Sequence, residues 1–160
     1  MITGFSGRLI SEQVLEQHLA GSTASHDAVQ CARRLRAWYI AQHSLGPASS
    51  IRAMVDAGAA PLVRALGFSA TDDLQVTAAG VGAALRGADA PLALLVAGWG
   101  EPLDPLWRSA IRQAVGRAAD WCVLFNGTHL RLISAERVFS RRFVEFDLDV
   151  AADDERTARA

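Results

Sequence analysis

Lysine is absent from this 160-residue chain, so all 16 basic side chains are arginine. That absence removes Schiff-base chemistry, the phosphate-cradling lysine of a P-loop, and the lysine of a metal-dependent nuclease core. Cysteine is scarce as well. Cys31 and Cys122, the only two, are too far apart for a disulfide framework or zinc-ligand spacing and read as buried thiols. An excess of either charge is missing: 16 basic residues against 17 acidic ones leave a formal net charge of -1, so any contact with nucleic acid must come from a local patch. Long apolar runs are missing too. The longest, Ala90 to Ala97, is less than half of the roughly 20 residues that cross a bilayer, and no membrane partner is expected. Residues Met1 to Phe5 lack the basic start and apolar core of a signal peptide, so the expected location is the cytoplasm.

What is present is an ordinary globular composition, 51% hydrophobic and 21% charged, which argues for one domain over 1–150 and a linker or tail over 151–160. Residues 1–68 read as helical. Ser11 caps a first helix with Val14, Leu15, His18 and Leu19 on one face, and Gly21 ends it. Ser25 caps a second, whose apolar stripe is Ala28, Cys31, Ala32, Leu35, Trp38 and Tyr39 before Gly46-Pro47; Arg33, Arg34 and Arg36 fall on its solvated side. Ser49 or Ser50 opens a third over Ile51 to Leu66, with a kink or break at Pro61.

From residue 69 to 150 the period shortens and a sheet is expected. A strand or hairpin spans Leu74 to Leu85 around Gly80 and Gly82, and Leu92 to Ala97 is a strand buried on both faces. Asp104 as N-cap and Pro105 at the first helical position start a helix to Ala119 whose apolar face includes Leu106, Trp107, Ile111 and Val115. Trp121 to Phe125 and Leu130 to Ile133 are strands joined by Asn126-Gly127, the signature of a two-residue type I′ turn. Phe143 to Leu148 alternates as a last strand. The fold class is therefore α/β, a mixed sheet flanked by helices and preceded by a helical segment.

The segment Leu94-Leu95-Val96-Ala97-Gly98-Trp99-Gly100-Glu101-Pro102-Leu103-Asp104, the helix carrying Gln113, and Trp121 to Phe125 with Asn126-Gly127 and Arg131 together resemble a known family. They are similar to the PD-(D/E)XK, restriction endonuclease-like N-terminal region of type IIG restriction-modification enzymes, which fuse it to an adenine methyltransferase; type I restriction subunits are related. Pro61 to Gly67 resembles the family's upstream helix. The likeness implies a bacterial phage-defence protein, DNA as partner, and downstream methyltransferase or specificity domains beyond Ala151.

Chemistry in that family needs converging carboxylates around a divalent cation, with a lysine two residues beyond the glutamate so that both side chains leave one face of a strand. Leu95 and Ala97 stand at those two positions, and Gly80 or a neighbour stands where the aspartate belongs. The resemblance thus implies a catalytic site without its catalytic groups, no metal ligands and no cofactor. Asp89, Glu101 and Asp104 are the weak candidates for relocated acidic ligands, with magnesium the cofactor in that event; the helix cap already accounts for Asp104, and a solvated turn for Asp72-Asp73. Candidate DNA contacts are Arg108, Arg112, Gln113 and Arg117 on the best helix, Arg131 in the hairpin, and Arg141 and Arg142, with Arg137 nearby. The alternatives are an active metal-dependent endonuclease and a purely structural protein-interaction module. The four histidines do not converge, no nucleophile elbow or dinucleotide fingerprint occurs, and the four tryptophans read as core or domain-interface packing.

Overall fold

The computed structural model describes residues 2–21, 26–87, 91–136 and 141–153. In chain order its elements are β1 (Phe5–Gly7), α1 (Glu12–Gly21), α2 (His26–Ala41), α3 (Ile51–Ala53), α4 (Ala60–Ala65), β2 (Ser69–Ala70), β3 (Gln75–Thr77), β4 (Gly80–Arg86), β5 (Leu92–Val96), α5 (Trp107–Gly116), β6 (Trp121–Phe125), β7 (His129–Ser134), β8 (Phe143–Asp147) and α6 (Leu148–Asp153). They make a mixed α/β structure around an eight-stranded sheet of order β1-β8-β7-β6-β5-β4-β2, with β3 also paired to β4. Among the described strands only β5 and β6 run parallel, because α5 carries the chain back between them.

Side-chain caps account for the starts of α1 and α3. Ser11 Oγ accepts from Val14 N, and Ser50 Oγ accepts from Ala53 N at 3.2 Å. The expected cap at Ser25 lies outside the described residues. Pro61, where a kink or break is expected, follows a change of helix type between α3 and α4. Having no N–H to give Ala57, and crowding that carbonyl with its ring, it is preceded by π-helical turns (Met54–Ala59) in which Ala60 N–H reaches Val55 O. There the Gly58 carbonyl accepts the buried Trp38 Nε1–H at 2.8 Å.

Strand alternation divides the core. Ala93, Leu95 and Ala97 face α5 together with Cys122, Leu124 and Ile133, and meet Trp107, Ala110, Ile111 and Ala114. Leu94, Val96, Val123 and Phe125 face the other way, against Trp38, Met54, Leu62 and Val63. The expected hairpin before β5 is formed by β3 and β4. Gly80 is required in it: its φ is +129°, and a Cβ there would drive into the Val96 carbonyl.

Several expectations are corrected. The helical segment over 1–68 opens with a strand, β1, paired to β8. In α1, Val14 and His18 are exposed. Asp104 does not cap α5; the helix begins at Trp107 after Leu106, without a side-chain cap, because the Asp104 carboxylate is drawn to Arg131. α5 stops at Gly116, and Val115 points to solvent. Asn126-Gly127 is not a two-residue type I′ turn. The loop has three residues and only Gly127 takes a positive φ, +89°, since the Asn126 side chain builds the turn by accepting from Thr128 N and His129 N. β8 ends at Asp147, whose Oδ1 accepts from Asp149 N and Val150 N and so starts α6 across the expected tail. α6 is held to α2 by Tyr39 OH donating to Asp149 at 2.9 Å and Arg36 Nε donating to the Ala152 carbonyl. Residues 154–160 lie outside the described part.

Candidate functional site

Because β5 and β6 run parallel, the loops leaving their C-terminal ends lie side by side, a position where open α/β sheets gather functional groups. One is the 98–106 connection into α5 and the other is Asn126-Gly127-Thr128. Asn126 stitches them together: its Nδ2 donates to the Glu101 carbonyl at 2.9 Å, and its own carbonyl accepts from Gly100 N at 2.9 Å. Trp99 packs beside Gly127, where a Cβ would strike the indole.

A polar cavity of about 220 Å³ opens between these loops and the first residues of β7. Arg131 is its base. The register pairs it with Glu145 across β7 and β8, so both side chains leave the same face, and Arg131 Nε donates to Glu145 Oε2 at 2.6 Å. Nη1 donates to Asp104 Oδ1 at 2.8 Å, and the guanidinium lies 4.2 Å from the Phe143 ring centroid. The Arg131 side chain is 7% exposed and that of Asp104 is 82% exposed, so a buried cation is held by one sheltered carboxylate and one solvated one. Along the rim, Thr128 Oγ1 meets His129 Nδ1 at 2.9 Å, and His129 Nε2 is 4.0 Å from Asp147 Oδ2.

The sequence candidates fall into four groups. Glu101, Asp104 and Arg131 converge at this cavity. Glu101 is exposed, and its Oε2 accepts from Gly98 N at 3.1 Å. Asp89 and Arg137 lie outside the described residues. Arg108 and Arg112 are exposed on α5, and Arg141 and Arg142 are exposed at the start of β8. Gln113, Arg117 and Arg131, by contrast, do not present free surface groups. Gln113 turns onto β4, where it fills the space a Cβ on Gly82 would need. Arg117, its side chain 9% exposed, donates to Gln113 Oε1 and to Asp73 Oδ2 at 2.8 Å. Asp73, expected in a solvated turn with Asp72, is exposed but committed: hydrogen bonds from Thr71 and then Arg117 hold its carboxyl below the usual range.

The positions at which the resemblance expects a glutamate and a lysine are sealed. Leu95 and Ala97 are both 0% exposed under α5. Do the acids at this cavity fit a divalent cation? They do not, because the Arg131 guanidinium already lies between Asp104 and Glu145, and a metal would have to displace it. Among the described residues no three His, Cys, Asp or Glu side chains are grouped to hold a metal. Sequence reasoning passed over Glu145 and the linking role of Asn126. Glu145 became legible only through the β7–β8 register, whereas Asn126 carried a turn signal that said nothing of the neighbouring loop.

Neither thiol belongs to this site. Cys122 is buried and its pKa is pushed up from 9.0 to about 12 by desolvation, while Cys31 approaches the Ala65 carbonyl. Among the described residues no helix is long and apolar enough to cross a membrane. No protein-family model matches the chain, and no curated protein or solved structure does.

Proposed function

We propose that this chain is a restriction endonuclease-like domain of a bacterial restriction-modification, phage-defence protein that no longer cleaves DNA and serves to hold it, alongside methyltransferase or specificity domains. One observation carries the reading. The strand positions that the resemblance assigns to glutamate and lysine are filled by fully buried Leu95 and Ala97, while Arg108 and Arg112 stay exposed on the helix that covers them. Hydrocarbon supplies neither metal ligand nor proton acceptor. Exposed guanidinium groups can grip phosphates in forked geometry without any chemistry. Arg131 is withdrawn from the proposed contact set because its side chain is buried and paired with Asp104 and Glu145. Gln113 and Arg117 support α5 from within rather than touching DNA.

Filter binding to duplex DNA at two salt concentrations, run beside a plasmid-nicking assay with magnesium or manganese, tests this. Four arginine–phosphate contacts predict a loss on the order of a hundredfold in affinity between about 50 and 200 mM salt, and no nicking. Metal-dependent nicking abolished by Glu101→Ala would establish the active endonuclease instead. Absence of binding at low salt would leave the protein-interaction module.

A further inference from the structure

On the sheet face away from α5, a cleft of about 640 Å³ separates the strands from the helices over them. Leu130 and Leu132 of β7 and Val144 and Phe146 of β8 form its floor; Ala28, Cys31 and Leu35 of α2 form a wall. Close-packed interiors hold few voids larger than a water molecule. The volume lies within the roughly 300–1,000 Å³ of small-molecule sites.

Charge lines the cleft at two points, Asp27 and Arg34. They are seven residues apart on α2, hence about 10 Å along its axis. Arg34 is exposed and has no ion pair among the described residues. We propose that the cleft binds a single-chain anionic amphiphile, its hydrocarbon between α2 and the β7–β8 floor and its carboxylate on the Arg34 guanidinium. Asp27 repels the same head group at the other end, so one orientation is favoured. Such a site is independent of the DNA reading, because it occupies the opposite face of the sheet.

Cys31 makes occupancy measurable. It lines the cleft, and the only other thiol, Cys122, is buried and held protonated, so a disulfide reagent at pH 8 reads Cys31 in the folded protein. Dodecanoate should slow that reaction and saturate at one equivalent, and dodecanol should protect less. Arg34→Gln, a surface change that leaves folding intact, should weaken dodecanoate by about fivefold without altering dodecanol, as loss of one partly exposed charge pair predicts. Leu35→Trp, which fills the cleft, should abolish protection by both. The proposal fails if dodecanoate gives no saturable protection, if the Arg34 variant protects as well as the parent, or if Cys31 is unreactive without ligand because the cleft is closed or covered by a second copy of the chain. Sedimentation of the same sample separates those last two cases.

Discussion

Arg131 is the residue whose surroundings matter most at the residue scale. Substitution by leucine strands the Glu145 carboxylate, which is 17% exposed, and releases Asp104, which is already solvated. Breaking a buried pair costs about 3–5 kcal/mol, and the exposure of one partner lowers the expectation for Arg131→Leu to roughly 2–4 kcal/mol, against under ~1 kcal/mol for Asp104→Asn. Urea unfolding of the two variants measures the difference, and equal losses would mean that Asp104 carries as much of the contact as Glu145. Two other groups set the alkaline limit. Cys122, raised by burial, stays protonated in the folded chain while the unfolded thiol ionises. Tyr39 is raised first by its hydrogen bond to Asp149 and then by burial. Both contributions are complete below the ordinary pKa of each group and are lost as pH rises through the folded value. Stability should therefore fall from about pH 9 upward, and Cys122→Ala should remove the first part of that fall in thermal melts across pH. Asp73 acts at the other end, its stabilisation present above the usual carboxylate pKa and lost as pH drops below it.

Helix and strand contacts follow the same logic at the element scale. The π-helical turns before Pro61 leave the Gly58 carbonyl to Trp38, so Trp38→Phe keeps most of the apolar packing and loses the buried hydrogen bond. The expected loss is about 1–3 kcal/mol, because an unsatisfied carbonyl remains; calorimetry reads it directly. α5 and β4 meet through Gln113 over Gly82. Gly82→Asp, which places a carboxylate beside Leu95, should displace Gln113, loosen Arg117 from Asp73 and lower the melting temperature without producing nicking. These contacts explain which elements could be read in advance. Amphipathic stripes marked α2 and α5, and apolar runs marked β5 and β6, because their period is local. β1 had no such mark, since its three residues gain their pairing from β8; α6 carried a local cap in Asp147, but the groups that hold it in place, Tyr39 and Arg36, lie far away along the chain.

At the scale of the whole molecule the sheet has two unlike faces. One carries α5 with its exposed arginines, and the other carries α1 to α4 over the apolar cleft. DNA binding should accordingly be confined to the first. Arg108→Gln with Arg112→Gln should flatten the dependence of log affinity on log salt by about 2, whereas Arg33→Gln with Arg36→Gln on the opposite layer should leave it unchanged. An equal effect of the two pairs would place the contact elsewhere.

Composition and local order in the chain were enough to establish an α/β structure, most of its helices and strands, the hydrocarbon at 95 and 97, and the lack of lysine chemistry, since each depends on neighbours within a few residues. Folding alone decided which charges meet. Arg131 and Asp104 read as a surface contact and a helix cap until strand pairing and the β5–α5 crossover brought them together with Glu145, because a guanidinium buried by packing takes the nearest carboxylates whatever their separation along the chain.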